Sequence, residues 1–133
     1  MAEAPVELLR GVALFTDLKD KELREIAGAM TQRRVDAGQT IAVEGTQGIG
    51  FFVIESGTAK ITVEGEERRT VGPGDYFGEI ALIVDTPRTA TVTAETPLVA
   101  WAIAGWAFRP IVQENAKVAW RLLDSVARMV AQR

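Results

Sequence analysis

The chain reads as a mostly β protein: a compact antiparallel barrel or sandwich with helices at both ends. Three observations predict this. Between residues 31 and 103, short alternating or apolar runs are separated by glycine turns at close intervals. Before and after that stretch, apolar residues return at helical spacing. With 133 residues, the size prior is one domain, 1–133, long enough to bury a core. It divides into a helical segment (1–30), the β region (31–103) and closing helices (105–132).

The opening segment is expected to be helical from 5 to 30. Val6, Leu8 and Leu9 make a short apolar turn ended by Gly11, and Leu14, Phe15 and Leu18 form an apolar elbow. Leu23, Ile26, Ala27 and Met30 then keep helical spacing. Asp20 and Glu22 stand in the first turn, where the helix dipole favours negative charge. The simplest role for these residues is a pad on the core. Strands are expected at Arg33–Val35, Thr40–Val43, Phe51–Glu55, Ala59–Val63, Arg68–Val71, Thr89–Ala94 and Leu98–Ile103. Glu64-Gly65-Glu66 is a hairpin turn. Lys60 and Thr62 alternate with Ile61 and Val63, and Thr91 and Thr93 with Val92 and Ala94, so each strand has one wet face.

After Ala104, Trp106, Phe108, Ile111 and Val112 suggest a helix. Pro110 implies that it begins near Phe108 or bends there. Glu114-Asn115 is the expected break before a last helix, Ala116–Gln132. That helix carries two apolar stripes. Val118, Leu122, Val126 and Met129 form one; Trp120, Leu123, Ala127 and Val130 form the other. One faces the core; the second is extra core, a ligand lid or a contact with another chain.

Composition excludes several chemistries. The chain has no cysteine and no histidine, so disulfides, thiol nucleophiles, Cys/His zinc sites and a Ser-His-Asp triad are out. No DxD- or ExxE-type carboxylate cluster stands out for a metal. These absences argue against an enzyme and against a cofactor. A net charge of -3 argues against duplex nucleic acid as a partner. No apolar run approaches about 18 residues, so no membrane insertion is expected. Met1 to Pro5 has no basic region of a secretory signal. A cytoplasmic protein is the default.

The densest chemistry lies in Gly72 to Ala90, GPGDYFGEIALIVDTPRTA. Gly78-Glu79-Ile80-Ala81-Leu82 reads as one helical turn after a strand. Glycine lets a ligand approach the backbone, and the free N–H groups of the turn suit an anion. Arg88, delivered by Pro87, can take two phosphate oxygens at once. Glu79 repels a phosphate but can accept from sugar hydroxyls. The set suits a ribose phosphate. On spacing alone, a surface ion pair between Glu79 and Arg88 reads equally well.

Phe77 to Leu82, followed by Thr86-Pro87-Arg88-Thr89-Ala90-Thr91-Val92, resembles the phosphate-binding cassette of the cyclic nucleotide-binding domain family. The likeness extends to the Leu8–Leu23 elbow, to Ala37-Gly38-Gln39 and Glu44-Gly45, to Phe51–Gly57, and to the ending from Trp106. It implies an antiparallel, jelly-roll-like β-roll with an N-terminal helical segment, a short phosphate-binding helix within a cassette at 77–90, and two C-terminal helices. It implies a 3′,5′-cyclic nucleotide ligand, cAMP in preference to cGMP, and a sensor in place of a catalyst. Arg88 would hold the cyclic phosphate and Glu79 the ribose 2′-hydroxyl. The backbone of Gly78, Ile80 and Ala81 would complete the cradle, and Thr89 would offer a hydroxyl to phosphate or base. The last helix would close over the base, with Val126 and Met129 as candidate lid residues and Arg128 or Arg133 within reach.

The chain departs from the family in one loop. Thr46-Gln47-Gly48-Ile49-Gly50 carries no acidic residue, and Ile49 puts an apolar group near one pocket edge. No helix-turn-helix follows the last helix, which fits a stand-alone sensor better than a transcription factor; a regulatory fragment of a channel, kinase or transferase is the alternative. A degenerate roll used only for protein interaction is a further one. The Trp120 stripe leaves room for a homodimer or a partner protein.

Overall fold

A computed structural model describes residues 3–46, 50–82, 87–113 and 115–131, without the side chains of Val126, Met129 and Val130. Its helices are α1 (Val6–Arg10), α2 (Asp20–Ala29), α3 (Gly105–Val112) and α4 (Ala116–Ala131). Its strands are β1 (Thr31–Val35), β2 (Thr40–Ala42), β3 (Gly50–Ser56), β4 (Ala59–Val63), β5 (Glu66–Val71), β6 (Tyr76–Phe77), β7 (Thr91–Ala94) and β8 (Leu98–Ala104). Single 3-10 turns stand at Ala13–Phe15 and Glu79–Leu82. The architecture is the expected one, mostly antiparallel β with flanking helices.

Two four-stranded antiparallel sheets form the roll, in the orders β1-β8-β3-β6 and β2-β7-β4-β5. The pair β3–β8 is buried on both faces, and its alternation sorts the residues. Phe51 pairs with Ile103 and Val53 with Trp101, and all four join the helices in one core with Leu9, Phe15, Ile26 and Phe108. Phe52 pairs with Ala102 and Ile54 with Ala100. These turn inward to a second core with Ile61, Val71, Phe77 and Val92. A period of two thus divides one strand pair between two apolar layers. Phe15 joins the helical layer to the sheet, with its ring 5.7 Å from Phe51 and 6.0 Å from Phe108.

The helical segments follow their caps. In α2, Glu22 accepts from the Lys19 N–H at 2.9 Å. The Asn115 side-chain amide donates to the same carboxylate at 3.0 Å. Asn115 in turn accepts from the Val118 N–H at 3.2 Å and so caps α4. One acid therefore ties the starts of two helices. Asn115 is a break, as the sequence suggested. In α4, Val118 and Leu122 are buried, whereas Trp120 is 73% and Leu123 52% exposed. The first stripe faces the core at those positions and the second does not.

Four differences from expectation have a visible physical cause. Met30 lies outside α2: its backbone is extended, and its side chain is buried as the chain enters β1. The helix around Pro110 begins at Gly105 instead of Phe108 and keeps Pro110 inside. A proline there removes one i→i−4 bond, which the burial of Phe108 and Val112 offsets. β7 begins at Thr91, because the backbone at Arg88 bonds instead to Thr46 and Gly45. Tyr76–Phe77, not expected as a strand, pairs with Val53 and Phe52; a two-residue strand has no periodicity to read. The β4–β5 hairpin turns at Glu64-Gly65 as expected, with Val63 opposite Glu66. The Glu44 carboxylate accepts the Glu64 N–H there at 3.0 Å.

Phe51 contacts both Phe15 and Tyr76 and has no exposed surface. Phe51→Ala is expected to cost about 3–5 kcal/mol of stability. A chemical denaturation curve with an unchanged slope would show it as a lower midpoint.

Candidate functional site

The site forms where the inner core opens between β6 and β7. β6 ends on Gly78, whose φ is +85. A Cβ there would stand 2.8 Å from an Arg88 guanidinium nitrogen and 2.8 Å from the Gly50 carbonyl oxygen. Glycine is thus required twice: for the left-handed backbone and for the space that Arg88 occupies. The chain then makes the turn Glu79–Leu82, with the Ala81 N–H bonded to the Gly78 carbonyl at 3.0 Å. The expected cradle therefore changes in one member. The Ala81 N–H is engaged inside the turn, while those of Glu79 and Ile80 have no backbone partner among the described residues.

Arg88 is held from three sides. Its N–H donates to the Thr46 carbonyl and its carbonyl accepts from the Gly45 N–H, both at 2.8 Å. Its guanidinium lies 5.5 Å above the Phe52 ring, a cation–π distance. Phe52 itself stacks on Phe77 at 4.9 Å. The side chain is half-buried. Among the described residues it has no ion-pair partner; the Glu79–Arg88 surface pair that spacing allowed does not form. Burial holds the guanidinium pKa below its ordinary value, yet arginine remains a cation. The result is a partly desolvated positive charge with no counter-charge among the described residues.

Gly78, Glu79, Ile80, Ala81, Arg88 and Thr89 all line one cleft, so the six expected ligand-contacting residues come together. Its enclosed volume is about 80 Å³. Sequence reasoning did not assign its floor, Ala42, Ile61 and Val92. The strand pattern that put Ile61 and Val92 inside was the available signal. Glu79 also borders a second hollow with Arg69, Tyr76, Ser125 and Arg128. Burial raises the Tyr76 pKa, nearby Glu79 adds to the rise, and a hydrogen bond from Ser125 of α4 opposes it. Of the lid candidates, the side chains of Val126 and Met129 lie outside the described residues, as do Ile49 and Arg133. Arg128 pairs with Asp124 at 2.9 Å.

The turn is docked on α3 by a residue that the sequence reading passed over. A Cβ on Gly105 would fall 2.1 Å from the Ala81 carbonyl oxygen. The Arg109 guanidinium donates to the Leu82 carbonyl at 3.3 Å. A glycine between a strand and a helix was the one visible hint of such an approach.

The mostly antiparallel β-roll with flanking helices agrees with the comparisons. The family model of the cyclic nucleotide-binding domain matches residues 32–115. The chain belongs to this family. This cyclic nucleotide-binding domain is 36% identical over 130 residues to the "cAMP-dependent protein kinase type II regulatory subunit" of Drosophila melanogaster, covering 95% of the present chain and 34% of that one. It spans about a third of the length of that curated relative. Among solved structures, it is similar to the regulatory domain of Toxoplasma gondii PKA, solved with cAMP. There the identity is 34% and the TM-score 0.75, over 84% of this chain and 44% of that one. It is also similar to the sensor domain of the transcriptional regulator DNR from Pseudomonas aeruginosa, at 27% identity and TM-score 0.81, over 96% of this chain and 89% of that one. Among the described residues, no helix is long and apolar enough to cross a membrane, and no group of acids is placed to hold a metal.

Gly78→Ala is expected to cost about 1–3 kcal/mol, the strain of an L-residue in this conformation, and to push the Arg88 side chain out of place. Thermal unfolding measures the first effect, and ligand titration the second.

Proposed function

We propose that this domain is a cytoplasmic, non-enzymatic sensor of a 3′,5′-cyclic nucleotide, with cAMP preferred to cGMP. The observation that carries the reading is Arg88: half-buried, immobilised, and without a carboxylate among the described residues. Such a cation is poised for an anion that brings its own charge into the cleft. The open amides of Glu79 and Ile80 add donors beside it. Glu79, facing the same cleft, accepts from the ribose 2′-hydroxyl. The small enclosed volume takes the phosphate and part of the sugar and leaves the base outside, near Thr89 and the covering helix. The preference for cAMP is supported by the relative from Toxoplasma gondii, which was solved with cAMP.

In this proposal α4 is the lid. Support comes from Glu79, which borders both the cleft and the hollow containing Ser125 and Arg128 of α4. Closing the carboxyl-terminal half of α4 over the base, with Val126 and Met129 as contacts, would shift the population toward the docked state. The exposed Trp120 and Leu123 leave an apolar face for a second protein surface, a second copy of the chain being the simplest.

Arg88→Ala is expected to reduce cAMP affinity by more than about 100-fold, the effect of removing a buried, hydrogen-bonded charge partner. Calorimetry that finds wild-type affinity in this variant rejects the reading. Glu79→Ala should cost about tenfold or more, and 2′-deoxy-cAMP should lose nothing further in that background. Replacing Trp120 and Leu123 together by Glu should lower the sedimentation coefficient at high concentration while leaving stability nearly unchanged. An unchanged coefficient removes the proposed contact.

A further inference from the structure

Arg88 has a second side. Beyond the nucleotide cleft, the guanidinium also lines a separate cavity of about 570 Å³ between β1, β2 and the start of α3. Arg33 of β1 lines the same cavity. Neither arginine has an ion-pair partner among the described residues. Among the described residues, no acidic side chain lines this cavity. Glu44, beside Val43 of the lining, is turned to the hairpin, where it accepts the Glu64 N–H. Two guanidinium groups therefore line one cavity with no acid beside them among the described residues, an arrangement that attracts an anion.

Much of the remaining lining is apolar. Alanines from β8 and α3 keep its wall shallow, and Phe52 and Ile41 supply apolar surface. Trp106 lines it from α3 while 66% exposed. A large aromatic standing in water at the rim of a cationic cavity is an unused stacking surface.

We propose that this cavity is a second ligand site, for a small planar aromatic anion. Its acid group pairs with Arg33 and with the edge of Arg88 turned away from the nucleotide cleft, and its ring lies against Trp106. A guanidinium has five N–H donors in a rigid fork, so Arg88 can face two anions at once. The two anions repel across it. Binding at either site then weakens the other by the same factor. This linkage rests on the nucleotide reading; the second site itself does not.

The test uses 2-naphthoate as probe, titrated calorimetrically into the whole chain and into three variants. Arg33→Ala and Trp106→Ala alter exposed side chains outside the nucleotide cleft. Each is expected to weaken naphthoate at least about tenfold and to leave cAMP affinity without naphthoate unchanged. Arg88→Ala should weaken both ligands. Saturating naphthoate should lower wild-type cAMP affinity to a plateau, since both sites fill together. No naphthoate binding to the wild type, or binding unaffected by Arg33→Ala and Trp106→Ala, overturns the proposal. So does competition with cAMP that never reaches a plateau, which would put the probe in the nucleotide cleft. If cAMP does not bind but naphthoate depends on Arg33 and Trp106, the nucleotide reading fails and the second site stands.

Discussion

The pairing of β3 with β8, each strand covered on both faces, is the constraint on which the molecule depends. Because side chains alternate, one strand pair serves two cores at once. Phe51, Val53, Trp101 and Ile103 hold the helices; Phe52, Ile54 and Ala100 fill the roll. A register slip of one residue would exchange the two sets. It would also move Phe52 and Gly50 from behind Arg88, and β6 from beside β3. The position of the binding residues is thus a consequence of strand register.

The site itself is an electrostatic arrangement. Folding half-buries a guanidinium, which is unfavourable when uncompensated, and the downward shift of its pKa records that cost. The backbone bonds to Thr46 and Gly45 and the stack on Phe52 and Phe77 keep it there. In the proposed function, an anionic ligand would meet donors already placed, so little ordering entropy would oppose binding. The same lack of compensation extends to the far side of Arg88, where Arg33 adds a second charge.

Close contacts connect this charge to the helices. Gly105 lets α3 approach the Ala81 carbonyl at a distance no Cβ permits, and Arg109 bonds the Leu82 carbonyl. Glu22 and Asn115 fix the start of α4 against α2. Asp17 pairs with Arg121 one turn further along, at 2.7 Å. The amino-terminal half of α4 is anchored by these polar contacts and by buried Val118 and Leu122. Further along, among the described residues, Ser125 lies beside Tyr76 and Arg128 borders the same hollow. In the proposed closure, that anchoring would put the bend after Leu122, leaving the carboxyl-terminal half of α4 to move.

The sequence by itself determined the mostly β class, seven of the strands to within a few residues, the helical ends, and the cassette. Alternation and helical spacing are local signals, and the Gly78-Glu79 turn and Pro87-Arg88 step are contiguous in the chain. It also determined that no Cys/His chemistry is available. Only the tertiary structure decided features that join distant segments. Tyr76–Phe77 became a strand because β3 offered an edge, and Met30 left its helix because its side chain had a core to enter as β1 began. Pro110 stayed inside α3 because packing of Phe108 and Val112 outweighed one lost hydrogen bond. The Ala81 N–H turned inward once the chain closed its 3-10 turn. The choice between a surface ion pair and an unpaired cation at Arg88 was likewise tertiary. Spacing places Glu79 and Arg88 near one turn, but Phe52, Gly50 and Thr46 come from other strands and loops, and they set where the guanidinium lies.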